Sequence, residues 1–425
     1  MMLPLAAAAL AVLSVCPSAY AMPPLHQPDG FDNNNGTTNG TADGNSTSTD
    51  PMAACKLPAH MNVWLSSGFA PTFDCVPSQG TIRGFMIFVD FPDATANMTG
   101  ASPKELYDSI VPAANDWFKT SSYGQLSLNV TADTSKFHRM PAPTTSYGWT
   151  AMTGEMHAAY IQDALDAYLH CGRALPEAVD VLYVMAPPSA RGFFNSLTTS
   201  FRPTMRSGSV VAQRASTMGV DVYDPTVGYR TLVHETGHTM CLADYYPTDR
   251  LNPLGYFVGG FSLMGDSTQP YPDHFAWDKW RMGWLPDTAV ECVSVSDMMT
   301  TTRHILTPLE QTPRPGEAQA VVIAASDTRA LVAEARTQKG VDEQLCGAGV
   351  LLYTVDTQVA SGMGPIRVLN NTPDRYTCGG YPANRAPLSL DEGRSRTMTV
   401  EEFGVTVTLT DQVATDRFMI EVKRL

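Results

Sequence analysis

Positively charged residues are scarce in this 425-residue chain, which has 28 Lys and Arg against 42 Asp and Glu and a formal net charge of −14. Because phosphate binding needs clustered Lys and Arg, this balance argues against nucleic acid as the main partner. Histidine is also rare, with nine in the chain. Disorder is not expected over the whole length, because 44% of the residues are apolar and can supply a core.

Long apolar runs are missing after the first residues. No later segment approaches the roughly 20 apolar residues that span a bilayer, so we predict no transmembrane segment. Residues 1–21 carry no charge, contain an apolar run over residues 5–15 and end in the small residues Ala19 and Ala21 around Tyr20. This pattern is typical of a cleaved signal peptide. We therefore predict a signal peptide at 1–21 and a secreted, extracellular protein.

Residues 22–80 are interpreted as a low-complexity, glycosylated N-terminal segment with room for a short pro-segment. Residues 29–50 are mostly Asn, Gly, Thr and Ser, which cannot bury apolar surface and favour a mobile linker. Acceptor sequons for N-glycosylation occur at Asn35, Asn39, Asn45, Asn97, Asn129 and Asn370.

The chain has eight cysteines, and Cys16 would leave with the signal peptide. An oxidising compartment favours disulfides among the other seven, although connectivity does not follow from spacing. Our hypothesis pairs Cys55 with Cys75, Cys171 with Cys241 and Cys346 with Cys378, and it leaves Cys292 unpaired.

Apolar periodicity predicts an α+β or α/β chain with two domains. Strand and helix patterns alternate from residue 81 to about 220, beginning with an apolar strand pattern at 81–91 and a helical periodicity at 104–120, which indicates an α/β layer. Beyond residue 285, short alternating segments separated by turns are typical of a β-sandwich. We predict a first domain at 81–286 and a β-sandwich domain at 287–425.

The most specific motif is His234-Glu235-Thr-Gly-His238. Two histidines four positions apart lie on one face of a helix, within reach of a single cation. Glu235 can then face a water bound to that cation. From composition, the odds of a chance His-Glu-x-x-His in this chain are on the order of 1 in 100. We predict that Asp224 caps the helix that carries the motif and that Pro225 occupies its first position.

A catalytic zinc needs a third protein ligand and one open position. A Glu from a later helix is one common layout, but the first Glu after the motif is Glu291, 53 residues past His238. The other layout uses a residue six positions past the second His, after a sharp turn, and that residue is Asp244. We assign His234, His238 and Asp244 as metal ligands, with Asp266 as the next choice for the third.

Two imidazoles suit zinc, whereas calcium and magnesium prefer shells of oxygen alone. We therefore predict one catalytic Zn²⁺. The surplus of carboxylates permits an additional structural Ca²⁺, for which the sequence identifies no ligand set. Zinc would lower the pKa of its water to about 7 and polarise the scissile carbonyl, while Glu235 takes the water proton and passes it to the leaving amine.

The motif resembles the His-Glu-x-x-His-x-x-Gly-x-x-Asp signature of the immune inhibitor A-like zinc metallopeptidases, which are metzincin-like. The resemblance runs from about residue 81 to the C-terminus and implies a zinc peptidase catalytic domain followed by a β-rich domain. It also implies a Met-turn at residues 261–265, with Met264 beneath the metal. The family's turn glycine is replaced by Cys241, so either the helix ends differently or a disulfide holds the turn. Further similar segments lie at residues 88–93, 117–124, 274–285, 334–336, 341–342 and 349–353.

These observations predict a secreted, monomeric zinc metalloendopeptidase that acts on proteins or peptides. A catalytically inactive binding glycoprotein on a peptidase fold and a zinc hydrolase of a non-peptide bond are the alternatives, and the complete motif favours activity. The oxyanion donor that such chemistry needs is not fixed, with Tyr246, Tyr271 and His274 as candidates. Neither Cys55 nor Cys75 is expected to act as a thiolate latch on the zinc.

Overall fold

The computed structural model describes residues 50–71, 74–96, 100, 102–170, 172–249, 251–269, 273–370, 380–413 and 416–425. The predicted signal peptide and the first four predicted glycosylation sites lie outside these residues. The other two sites, Asn129 and Asn370, are exposed. No helix in the described part combines the length and the apolarity needed to cross a membrane.

The first half of the chain alternates strands and helices around one mainly parallel sheet. Its elements are β1 (Gly80–Asp90), α1 (Pro103–Ser121), β2 (Leu126–Ala132), β3 (His138–Arg139), α2 (Gly154–Leu169), β4 (Val181–Met185), β5 (Leu197–Thr198), β6 (Arg214–Met218), α3 (Gly228–Thr239) and α4 (Ala276–Arg281). The strand order is β2-β1-β4-β6-β5, with β3 paired to the end of β1. Only β5 runs antiparallel to its neighbour in this described sheet. The predicted mixed α/β architecture is thus confirmed.

Both faces of this sheet are covered by helices. Met86 and Phe88 of β1 belong to the core that contains residues of α1 and α3, whereas Ile87 and Val89 belong to the core that contains residues of α2. Successive side chains of a strand point to opposite faces. The strand is therefore apolar at nearly every position, as expected for a sheet buried on both sides.

The second half of the chain forms two further sheets. Their strands are β7 (Val290–Ser294), β8 (Thr301–Leu306), β9 (Ala320–Ala324), β10 (Arg329–Arg336), β11 (Gly349–Asp356), β12 (Ile366–Val368), β13 (Thr397–Val400), β14 (Val405–Gln412) and β15 (Phe418–Arg424). One sheet has the order β12-β11-β10-β9-β7 and the other β13-β14-β15-β8. A single cluster of buried side chains contains residues of both sheets.

The core of the first half continues across the predicted domain boundary. Val322 and Val332, from β9 and β10, belong to the same buried cluster as Trp277 of α4. Arg336 of β10 is fully buried and donates hydrogen bonds to the carbonyl oxygens of Phe261 and His274. The five-stranded sheet therefore packs directly against the segment that follows α3.

The disulfides differ from the predicted pairing. Cys55 is bonded to Cys292 of β7, and Cys75 is bonded to Cys241 at the end of α3. Three predictions are therefore wrong: the Cys55–Cys75 pair, the Cys171–Cys241 pair and the unpaired Cys292. Residues 50–71 and 74–79 contribute buried side chains to the main core and bring each cysteine to a distant partner, which spacing along the chain cannot reveal. Cys346 is also disulfide-bonded, and its predicted partner, Cys378, lies outside the described residues.

Helix α2 carries a buried histidine that predicts a pH dependence of stability. His157 is 6% exposed, its Nε2 lies 2.8 Å from Thr217 Oγ1, and burial lowers its pKa from 6.5 to about 4. The unfolded chain therefore takes up a proton first as pH falls, and stability is lost between pH 6.5 and about 4. A shift of this size corresponds to roughly 3 kcal/mol.

We expect His157→Gln to remove this contribution. Urea unfolding at pH 7.5 and pH 4.5 should show wild-type protein losing about 2–3 kcal/mol more than the variant. His170→Gln, at the exposed end of α2, serves as the control and should behave like wild type. Parallel pH profiles for His157→Gln and wild type would contradict the assignment.

Candidate metal centre

The His-Glu motif lies on α3, which begins at Gly228. A side chain there would collide with the carbonyl oxygen of Val222, because a Cβ on Gly228 would lie 1.9 Å from it. The prediction that Asp224 caps this helix is wrong. The Asp224 carboxylate instead accepts a hydrogen bond from Thr226 N, and its carbonyl accepts one from Gly228 N. Helix α3 therefore begins after this turn, at a glycine that can approach the Val222 carbonyl closely, and no side chain caps it.

The three predicted ligands converge. One ligand atom from each of His234, His238 and Asp244 lies within 4.8 Å of the others. Asp244 Oδ1 is 3.3 Å from His234 Nε2 and 3.1 Å from His238 Nε2. Two ligands bound about 2.0 Å from a tetrahedral zinc ion lie about 3.3 Å apart, so the spacing fits. Among the described residues, no other three His, Cys, Asp or Glu side chains converge in this way.

Hydrogen bonds orient both imidazoles. His234 Nδ1 lies 2.9 Å from the carbonyl oxygen of Leu263, and His238 Nδ1 lies 2.9 Å from that of Leu242. Since a carbonyl can only accept, each Nδ1 donates, and each Nε2 is the ring nitrogen that faces Asp244 and is left to bind a metal ion. The inaccessible Asp244 Oδ1 has no hydrogen-bond donor in the described structure. Bound metal would satisfy this buried oxygen, which is otherwise costly.

The carboxylates of Asp244 and Glu235 favour positive charge at His238. Burial alone would lower the pKa of His238, but Asp244 and Glu235 raise it to about 9. Burial would raise the pKa of Asp244, but the two histidines hold it well below its usual range. A proton and a metal ion compete for the same Nε2 lone pair, so metal binding at neutral pH should release a proton.

A sharp turn brings Asp244 next to the two predicted ligands on α3. Cys241 has a φ of +64°, the left-handed conformation that normally favours glycine, and Leu242 N donates to the carbonyl of Gly237. The disulfide from Cys75 fixes Cys241 in this position. The turn is therefore retained without its glycine and is held by a covalent bond.

A distant loop fixes the orientation of Asp244. Ser361, between β11 and β12, accepts a hydrogen bond from Asp244 N at 2.8 Å, and its hydroxyl lies 3.2 Å from Asp244 Oδ2. Gly362 N donates to the Asp244 carbonyl at 2.9 Å. Residues of the second half of the chain thus hold Asp244, a predicted ligand from the first half, in position. Asp244 Oδ1 is left to bind a metal ion.

Glu235 is 5% exposed and lies on α3 between the two histidines. Its Oε2 accepts a hydrogen bond from Thr198 Oγ1 at 2.7 Å, and Ser216 Oγ lies 2.8 Å from the same Thr198 oxygen. Because the Thr198 proton is given to Glu235, Ser216 must donate to Thr198. Burial raises the pKa of Glu235, whereas His238, His234 and Thr198 oppose the rise. A raised pKa makes this carboxylate a better proton acceptor than an ordinary Glu.

Tyr246 lies against His234, and Met264 packs against α3 at Gly237. Met264 is fully buried, and its sulfur would be 2.7 Å from a Cβ on Gly237, so the glycine lets Met264 pack closely against the helix. The ring of Tyr246 is stacked on that of His234 with centroids 6.0 Å apart. Burial, with Asp244 and Glu235 adding to it, raises the pKa of the phenol well above its ordinary value.

The other predicted site residues are placed elsewhere. His274 is fully buried between the rings of Trp117 and Trp284, where burial lowers its pKa to about 3, and it does not line the cleft. Tyr271 lies outside the described residues. The alternative third ligand, Asp266, accepts hydrogen bonds from Thr268, Gln269 and Tyr381.

Sequence reasoning missed four residues at this site. Thr198 orients Glu235, Ser361 holds Asp244, and Trp64 and Leu65 line the cleft that contains Glu235, His238 and Asp244. None of them belongs to a motif, and each comes from a segment remote in sequence. Only the tertiary fold brings them to the metal ligands.

No protein-family model matches this chain, and no curated protein matches it. The site is therefore interpreted from its own geometry and chemistry.

Proposed function

We propose that the protein is a secreted zinc metalloendopeptidase of the immune inhibitor A-like, metzincin-like type. The observation that carries the proposal is the convergence of His234 Nε2, His238 Nε2 and Asp244 Oδ1, with the Glu235 carboxylate on the same helix. Three protein ligands of this kind suit zinc and leave its fourth position open to water or substrate. A closed structural site would need a fourth protein ligand.

The residues around the site support peptide hydrolysis. Zinc, when bound, supplies Lewis acidity toward the scissile carbonyl and acidifies water. The Glu235 carboxylate, held by Thr198, accepts the proton of the attacking water and delivers it to the leaving amine. Tyr246 lines the same cleft, which His274 does not, and we take it as the candidate donor for the developing oxyanion.

Two features support the finer architecture. The parallel sheet, α3 and the turn carrying Met264 fit a metzincin-like catalytic domain, and the two later sheets share one core, as a β-sandwich would. Disulfides persist mainly in oxidising compartments, and the bonds at Cys55 and Cys75 agree with secretion. Both of these sulfurs are bonded to other sulfurs, so neither is a thiolate that could bind zinc.

The reaction class can be tested with casein and gelatin. New peptide N-termini, identified by mass spectrometry after incubation with the secreted protein, would establish endoproteolysis. Tight binding of substrate without new termini would favour the binding-glycoprotein alternative. Hydrolysis of ester or amidase substrates without cleavage of either protein would favour the non-peptide hydrolase.

A further inference from the structure

The turn that carries Trp64 and Leu65, in the described part of the segment between Cys55 and Cys75, forms one wall of the metal cleft. Both residues line the same cavity as Glu235 and Asp244. The Trp64 residue is 47% exposed, whereas Leu65 packs against the main core. An indole that is half exposed and faces a catalytic cleft is placed to contact substrate.

The backbone of this turn is firmly anchored. The carbonyl of Trp64 accepts a hydrogen bond from Ser361 N at 3.0 Å, and Ser66 Oγ donates to the Thr357 carbonyl at 2.6 Å. The Ser67 carbonyl accepts from Trp277 Nε1 at 2.7 Å. These bonds hold Leu65 at a φ of +48°, a conformation that leucine rarely adopts and that persists only where surrounding contacts fix it.

The two disulfides make this wall a permanent part of the enzyme. Cys55 is bonded to Cys292 and Cys75 to Cys241, so the segment is tied at both ends to the body that carries the metal ligands. Proteolytic removal of the chain before Cys55 would leave Trp64 in place. The backbone of Trp64 lies on the Asp244 side of the cleft, because Ser361 N donates to the Trp64 carbonyl and Ser361 Oγ accepts from Asp244 N.

We infer that Trp64 is a specificity-determining residue that selects peptides with a large apolar or aromatic side chain next to the scissile bond, on the Asp244 side of the cleft. This inference rests on the proposed peptidase function. An indole offers a large apolar surface and favourable edge-to-face or offset packing with aromatic rings. A charged substrate side chain buried against it would lose hydration without gaining a partner.

The test uses full-length protein and peptide profiling. A mixed peptide library defines the wild-type preference, and two peptides that differ only by Phe or Ser at the selected position are then compared. Trp64→Ala should lower kcat/KM for the Phe peptide about 10- to 100-fold, mainly through KM, and should change the Ser peptide little. Trp64→Phe should retain most of the preference. Met61→Ala, in the same turn but 77% exposed and not lining the cleft, is the matched control.

The outcomes separate this inference from the proposed function. If wild type cleaves peptides without preferring large apolar side chains, the inference is wrong and the proposed function stands. The same holds if Trp64→Ala affects both peptides equally. A uniform gain in activity would mean that the segment obstructs the cleft, which also overturns the inference. If wild type cleaves no peptide, the proposed function and the inference fail together. Trp64→Gln provides a second variant should Trp64→Ala not be secreted, and the same selective loss is expected.

Discussion

Replacing Glu235 by Gln should abolish most peptide hydrolysis while leaving the metal bound. The amide keeps the shape of the side chain and can remain hydrogen-bonded to Thr198, but it cannot accept a proton from water. General-base catalysis typically contributes about 10²- to 10⁴-fold, and we expect a fall in kcat of this order. Steady-state kinetics on a cleaved peptide and zinc analysis of the same sample measure both quantities.

Glu291→Gln is the control for this substitution. Glu291 is the first Glu after the motif, and it lies on β7 beside His304, outside the metal cleft. The control should retain wild-type kcat and zinc content. Near-normal kcat in Glu235→Gln would show that another group takes the proton, and the assigned mechanism would then be wrong.

Asp244→Ala should lose both zinc and activity. Without this carboxylate only two imidazoles remain, too few to hold a catalytic zinc with the right geometry. Dialysed Asp244→Ala protein should contain little zinc, and its kcat/KM should be near background. Metal analysis after dialysis, together with a peptide assay, checks the expectation.

Asp249→Ala is the matched control for the ligand. Asp249 also follows α3, but it is exposed and accepts hydrogen bonds within its own loop from Leu251 N and Asn252 Nδ2. This variant should keep its zinc and its activity. Full zinc occupancy in Asp244→Ala would place the third ligand elsewhere, with Asp266 the next residue to replace.

Local patterns predicted the parts of this protein that depend on local geometry. The apolar run at residues 81–91 corresponds to β1, and the periodicity at 104–120 corresponds to α1. The spacing of His234 and His238 was sufficient to bring their imidazoles together, because residues four apart share a helix face. Asp244 could be predicted as the third ligand because the turn that positions it, at Cys241, lies close to it in the sequence.

Most of the features that the sequence analysis missed or predicted wrongly depend on contacts between residues far apart in the chain. The disulfide partners Cys55 and Cys292 are 237 residues apart, and no periodicity relates them. The side chains of Thr198 and Ser361 act on the site only because β5 and the β11–β12 loop are brought beside α3 and its turn by the fold. The start of α3 was misplaced because the Asp224 carboxylate accepts hydrogen bonds from Thr226 within the preceding turn, and the helix begins only at Gly228.

Metal titration tests the central claim most directly. Protein stripped with a chelator and returned to metal-free buffer should not cleave casein, and activity should rise with added Zn²⁺ and saturate near one equivalent per chain. Calcium or magnesium alone should not restore it, because two of the three ligands, His234 and His238, are imidazoles. Undiminished proteolysis by the metal-free protein, or recovery with Ca²⁺ but not Zn²⁺, would contradict the assignment of a catalytic zinc centre.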